Sequence, residues 1–492
     1  MNNNQGAIII GAGIAGLAAA IRLAVKGYKV NVFEKNPTAG GKIAQYSSKG
    51  YRFDAGPSLF TLPEKIEELF FLAGENTGDH FRYHKLETVC RYFFADGTVI
   101  DSFSDPEKFA AEMHHKTGEN PENIISYLKK AKALYGFSSE IFIDNSFHKL
   151  SNYYTNKAFR KAGLKLWKLD PFFTMHQRNT RSFQSGKTIQ LFDRYATYNG
   201  SSPYKTPATL KIIAHLEHNL GAYFPEKGMY DIAVQLQKLA ERKGVVFHFN
   251  TIVEEVLFEG RQVSGVIAGG KPYRATVVVN DSDVATFYST LMPEKKIPKR
   301  VLKGDRSTSA MIFYWGMKNT FSTLKLHNIL FSNNYPEEFD HLFQKKTITS
   351  DPTIYIFISK KLVVSDAPEG KENWFVMINT PEDTGQDWSY LVRIARENIR
   401  NKIKKQLAVD VNDFIETEHV VTPKEIEKNT LSYHGSLYGS SSNSQFAAFM
   451  RHPNFSRKHK GLYFAGGSVH PGGGIPLCLA SAAIIDKEIL SL

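Results

Sequence analysis

An α/β chain built from two interleaved parts is what this sequence predicts, and three observations carry it. A short apolar run, Gly6 to Ile10, passes through Gly11-Ala12-Gly13-Ile14-Ala15-Gly16 into an apolar helical stretch. Near the other end, Gly461 to Ala465 passes through an equally glycine-rich turn into a helix starting near Ile475-Pro476. Two long blocks lie between, from about Tyr83 to Tyr223 and from about Met292 to Ser436. The ligand-binding pieces must come together from both ends and the middle, so the chain is interleaved rather than split into consecutive domains. The expected division is 1–82, 224–291 and 437–492 in one part, with 83–223 and 292–436 in the other. Internal repeats are absent, and low complexity is confined to the short Ser440 to Ser444 loop.

The first unit is read element by element. Gly6 to Ile10 has the uniform apolar character of a strand buried on both faces, Leu17 to Lys26 reads as a helix, and Lys29 to Phe33 as a second strand ending in Glu34. The glycines serve separate ends. Gly11 makes the tight turn, Gly13 lets backbone approach a pyrophosphate, and Gly16 lets helix and strand pack closely. Free N–H groups and the positive dipole end at the helix start favour an anion there. Glu34 is placed to accept hydrogen bonds from a ribose diol. Strand, turn, helix, strand and terminal acid together define a dinucleotide unit without deciding between FAD and NAD. Gly40-Gly41-Lys42 adds a second close backbone approach and a cation for a phosphate, and Gly50 to Pro57 ends in a further glycine-proline turn. Leu236 to Lys243 reads as a helix, and Val245 to Phe249 and Thr251 to Phe258 as strands. At the far end, small residues after Gly461 to Ala465 let a flat ring lie against backbone, and Pro476 suits a first helical turn.

Composition bounds the partners. Of 492 residues 42% are hydrophobic, enough for a large core, and 13% are aromatic, which suits either that core or a pocket for a long apolar ligand. A formal charge of +12 attracts anionic surfaces. Neither a zinc-ligand spacing nor an RNP-like pattern is present, so a nucleic-acid partner is not expected and the membrane surface is preferred. No metal-ligand cluster is evident. Cys90 and Cys478 cannot form a disulfide framework, which points to a reduced, cytoplasmic protein. The apolar run Ala7 to Ile21 lacks a preceding basic residue and is broken by glycines, so contact with the inner membrane is expected to be peripheral. Lys157, Arg160, Lys161, Lys165 and Lys168, opposite Phe159, Leu166 and Leu169, form either a basic amphipathic face for that contact or a solvated helix face, with Gly163 weakening the helix.

Taken together, Gly11 to Gly16, Glu34, Gly40-Gly41-Lys42, Asp54-Ala55-Gly56-Pro57 and Leu462 to Pro476, continued by Leu479-Ala480-Ser481-Ala482, resemble the bacterial-type phytoene and carotenoid desaturases. Phe224 to Met229 and Val277 to Asp283 resemble interior landmarks of that family. The resemblance implies an amine-oxidase-like architecture, a Rossmann-type FAD-binding domain interleaved with a substrate domain of mixed sheet and helices. It implies FAD contacts at Gly11, Gly13, Ile14, Ala15 and Gly16, at Glu34 and Lys35, at Gly40, Gly41 and Lys42, and at Gly56, Pro57 and Ser58. Further contacts are implied at Val253 and Asn280 and, from the last motif, at Gly466, Gly467, Gly474, Ile475 and Pro476. Two positions depart from the pattern: Lys42 stands where arginine is usual, and Gly467-Ser468 where an acidic residue is common.

Leu191 to Tyr198 and Gly200 to Tyr204 resemble the hydroxycarotenoid 3,4-desaturase branch. The implied reaction introduces a double bond into a 1-hydroxylated acyclic or monocyclic carotene, such as hydroxy-gamma-carotene, with oxygen or quinone as electron acceptor. Asp193 and Arg194 are the candidate polar pair near the substrate, with a structural ion pair as the alternative. His470 either faces the flavin ring or packs against backbone. Phytoene desaturation, a redox-neutral isomerase or saturase, amine oxidation on the same architecture, and a non-catalytic lipid carrier remain open.

Overall fold

The computed structural model describes residues 5–146, 148–149, 170, 172–444 and 451–491. The basic segment from Lys157 to Lys168 lies outside the described residues.

Strand β1 (Gly6–Ile10) is central in a five-stranded parallel sheet whose order is Leu462–Phe464, Val277–Asn280, β1, β2 (Lys29–Phe33) and Val246–His248. Every neighbouring pair in it is parallel. Helix α1 (Ile14–Val25) lies beside the helices Asp231–Arg242 and Ile475–Glu488. Residues from the start, the middle and the end of the chain thus share one core. Helix α1 starts three residues earlier than Leu17 because Gly13 caps it in an extended conformation (φ −70°, ψ 176°), with no side chain of its own to close the first turn. The strand expected over Thr251 to Phe258 runs Val253–Glu259 and belongs to a separate three-stranded antiparallel sheet with Gln262–Ala268 and Lys271–Arg274.

The second layer is a seven-stranded mixed sheet in the order Ile415–Val421, Ser309–Met317, Glu372–Thr380, Ile354–Phe357, His327–Leu330, Thr88–Phe93 and Val99–Phe103. Successive side chains leave a strand on opposite faces. Phe313, Trp315, Trp374, Val376, Ile354 and Ile356 share a core with Trp388, Leu391, Ala395, Ile399 and Ile403 of the helix Trp388–Leu407. Their neighbours Ile312, Tyr314, Phe375, Met377, Tyr355 and His327 face a cavity on the other side. A helical cluster that includes Pro106–Thr117, Pro121–Ser138, Met175–Ser182 and Gly186–Asp193 has its own core.

Candidate functional site

The cavity measures about 990 Å³ and runs from the glycine turns at the end of β1 to the helical cluster. At its first end the backbone is bare. The Gly40 N–H donates to the Ala12 carbonyl at 2.8 Å, and a Cβ on Gly41 would lie 3.1 Å from Gly13 Cα, so two glycine turns lie against each other. A Cβ on Gly16 would come within 2.3 Å of the Gly11 carbonyl oxygen, which leaves glycine as the residue that fits. Glu34 secures the turn: Oε2 accepts the Ala12 N–H at 2.8 Å and Oε1 the Asn36 N–H at 2.9 Å. A helix N-terminus facing a cradle of uncovered backbone, with a buried acid at the next strand end, is the donor and acceptor set a dinucleotide needs.

Most expected cofactor residues line this end. Gly11, Gly13, Ile14, Ala15, Glu34, Lys35, Gly40, Gly41, Lys42, Gly56, Pro57, Ser58, Val253, Gly467, Gly474, Ile475 and Pro476 are all on the wall. Gly16, Asn280 and Gly466 stand behind it. The Asn280 side chain turns back onto Ser282, accepting from its hydroxyl at 2.7 Å, and Gly466 closes on Asp281, where an added Cβ would meet Oδ1 at 2.6 Å. Lys42 lines the cavity, and its ammonium donates to the Leu437 carbonyl at 2.5 Å, tying the glycine turn to the 436–437 segment. Burial lowers its pKa. Sequence reading passed over Asp281, although it belongs to the Val277 to Asp283 landmark. Its Oδ2 accepts the Gly16 N–H at 2.8 Å in the first turn of α1, and burial pushes its carboxyl up to about 7.

The far end of the cavity holds a buried polar cluster. Arg194, 7% exposed, donates to the Tyr92 hydroxyl at 2.5 Å and the Tyr198 hydroxyl at 3.2 Å, and lies 3.5 Å from Glu217 Oε2. Glu217, 1% exposed, accepts from Tyr195 at 2.8 Å and also from Tyr198. Burial raises the pKa of both tyrosines. On a neighbouring strand, His327 Nδ1 shares a 2.7 Å hydrogen bond with the Tyr355 hydroxyl, which shares another of 2.5 Å with Ser58 Oγ. Between the two ends the walls are apolar and aromatic, with Leu59, Ile312, Tyr314, Phe375 and Met377 among them.

The expected Asp193–Arg194 pair is not made. Asp193 ends the helix Gly186–Asp193 and Arg194 opens the next turn, so the two side chains diverge. Asp193 shares a 2.6 Å hydrogen bond with His176 Nδ1, accepts from Asn179 at 2.8 Å and does not line the cavity. Its role is to tie two helices. His470 is likewise off the cavity; Nε2 pairs with the Asn145 carbonyl at 2.9 Å and the ring packs on His148, in keeping with a packing role rather than a place facing a flavin. Glu217, His327 and Tyr355 were missed, since nothing in their local sequence marks them. Only the sheet register and helix packing bring them together.

No helix among the described residues is long and apolar enough to cross a membrane. The chain is 50% identical, over 97% of each chain, to a 1-hydroxycarotenoid 3,4-desaturase of Flavobacterium sp. (strain P99-3). It is 30% identical to a 4,4'-diapolycopene oxygenase of Methylomonas sp., over 100% of this chain and 99% of that one. Among solved structures, cyclohexylamine oxidase from Brevibacterium oxydans IH-35A matches with a TM-score of 0.60 and 14% identity over 99% of each chain, a likeness of fold. The family model for flavin containing amine oxidoreductase matches residues 14–484. The chain therefore belongs to the flavin containing amine oxidoreductases, and is an oxidoreductase whose cofactor is FAD.

Proposed function

We propose that this protein is a carotenoid desaturase that introduces the 3,4 double bond into a carotenoid carrying a tertiary 1-hydroxyl. The observation that carries the reading is a single cavity joining a bare dinucleotide cradle to a buried cluster of Arg194, Glu217 and tyrosines through an apolar passage. A wholly hydrocarbon substrate has no use for such polar groups, whose burial is costly unless they are paired. The relative that is 50% identical bears the matching name. The reading places FAD at 1–82, 224–291 and 437–492 and the substrate at 83–223 and 292–436.

FAD, when bound, supplies the hydride acceptor. The chain's residues do the rest. Ile312, Tyr314, Phe375 and Met377 form a flat wall that holds a polyene and keeps water from a cation developing along it. Tyr314 and Phe375, whose rings meet edge to face with 76° between planes, supply aromatic surface beside that positive charge. Arg194 and Glu217 belong to hydroxyl recognition at the end of the passage, and Asp193 anchors the helix Gly186–Asp193, which Arg194 directly follows. The test supplies purified, FAD-loaded enzyme with phytoene, lycopene and their 1-hydroxylated derivatives in liposomes, and resolves products by chromatography and absorption. Hydroxylated substrates are expected to lose two hydrogens and absorb at longer wavelength. Preferential turnover of phytoene overturns the branch, and products of unchanged mass overturn desaturation.

A further inference from the structure

We propose that His327 reads the substrate hydroxyl, with its Nε2 taking the hydrogen bond of the tertiary alcohol. The proposal rests on the reading above that the substrate carries that alcohol.

Strand alternation puts His327 and Ile329 on the cavity face of His327–Leu330 and turns Leu330 into the opposite core. Within this wall the imidazole is fixed in plane. It stacks on Phe357 at 5.2 Å and on Tyr355 at 6.1 Å, both with 15° between planes, and is 2% exposed. Its Nδ1 is engaged by Tyr355, while Nε2 is buried without a partner. Among the described residues, His327 Nε2 and Arg194 Nε are the buried, unpartnered side-chain atoms that belong to residues lining this cavity. A buried nitrogen left unpaired costs free energy that a ligand group can recover.

The relay from Ser58 through Tyr355 indicates which ligand. If the Tyr355 hydroxyl donates to Nδ1, then Nε2 carries the hydrogen and donates outward. If Nδ1 donates to Tyr355, and Tyr355 to Ser58, then Nε2 offers a lone pair. An alcohol both donates and accepts, so it satisfies either register. A hydrocarbon end satisfies neither. Burial, together with the charge of Arg194, pushes the imidazole down to about 3, so the ring stays neutral and keeps both options. Arg194 Nε, the other buried unpartnered atom on this wall, can only donate, which suits an acceptor such as a hydroxyl oxygen. Ser58 directly follows the Gly56-Pro57 turn on the cofactor wall, so the relay joins hydroxyl subsite to cofactor site. The bond to be oxidised begins two carbons from the carbinol carbon, and fixing the hydroxyl therefore fixes which bond is presented.

The test compares wild type, His327→Leu, His327→Gln and Tyr355→Phe as FAD-loaded enzymes. The readouts are kcat/KM for a 1-hydroxylated carotene and its non-hydroxylated counterpart, and binding of each to chemically reduced holoenzyme, followed through the carotenoid absorption band. For His327→Leu the ratio of the two kcat/KM values is expected to fall by about tenfold to a hundredfold, with a matching loss in affinity for the alcohol. Glutamine, which both donates and accepts, should restore part of it. If the leucine variant does not hold FAD, Tyr355→Phe decides, since it spares the packing and removes the bond at Nδ1; a severalfold fall in the ratio supports the relay. An unchanged ratio in His327→Leu with FAD retained, an equal loss on both substrates, or an unchanged ratio in Tyr355→Phe overturns the proposal. A wild type without preference for the alcohol instead overturns the substrate assignment, before any variant is compared.

Discussion

Replacing Glu34 by alanine should remove far more than one contact to a ribose. The carboxylate already accepts two backbone N–H groups, from Ala12 at 2.8 Å and Asn36 at 2.9 Å, and is nearly buried. Hydrogen bonds to a charged acceptor contribute about 1.5–3 kcal/mol each, and a buried N–H left without a partner adds a cost of similar size. The apoprotein should lose about 2–4 kcal/mol of stability even after the turn relaxes. A lost ribose contact of about 1.5–3 kcal/mol corresponds to a fall in FAD affinity of about tenfold to 150-fold. Glu34→Gln keeps one carbonyl acceptor and should fall between the two. The assays are thermal unfolding of apoprotein and titration of apoprotein with FAD by flavin fluorescence. An alanine variant with an unchanged apo Tm and an FAD Kd within about twofold of wild type would refute the reasoning, because neither the cradle nor the ribose would then depend on this carboxylate.

Asp281 should make FAD binding pH-dependent. Burial lifts its folded-state pKa from 3.8 to about 7, so the native apoprotein keeps a proton that the unfolded chain has already lost across that window, and the contribution is lost as pH rises through about 7. A pyrophosphate held at the Gly11 to Gly16 turn would add repulsion, so FAD affinity should fall on the alkaline side; Asp281→Asn should flatten the profile, and parallel profiles would sink the assignment. Gly16→Ala should abolish FAD retention, because its Cβ would meet the Gly11 carbonyl oxygen at 2.3 Å; a variant that purifies with full flavin would show that the turn can open. With a charge of +12 the protein should sediment with anionic vesicles and be released as salt screens it, and equal binding to neutral vesicles would count against an electrostatic contact.

The nucleotide end was legible because it is made of backbone shape. Only glycine fits where Gly16 meets Gly11, and a sequence displays such a demand openly. The helix start was less legible, since an extended Gly13 begins α1 inside the motif rather than after it. Adjacency misled at Asp193 and Arg194. Neighbours in sequence at a helix end leave it in different directions, and each found a partner from elsewhere, His176 for one and Glu217 for the other. The cavity wall was hidden for a different reason. Ser309–Met317 is buried along its whole length, with a core on one face and the cavity on the other, so no polar alternation marks the cavity side. His327 and Glu217 acquire meaning only from register and helix packing, which bring distant segments to one place.

The most direct test of the account is a single turnover without oxygen. FAD-loaded enzyme is mixed with a 1-hydroxylated carotene in liposomes, and flavin bleaching and carotenoid absorption are followed together, with the product weighed by mass spectrometry. One flavin reduced for each double bond formed, with two hydrogens lost at the 3,4 position, is the predicted result. A new polyene band without flavin reduction, or bleaching with no change in carotenoid mass, would contradict it.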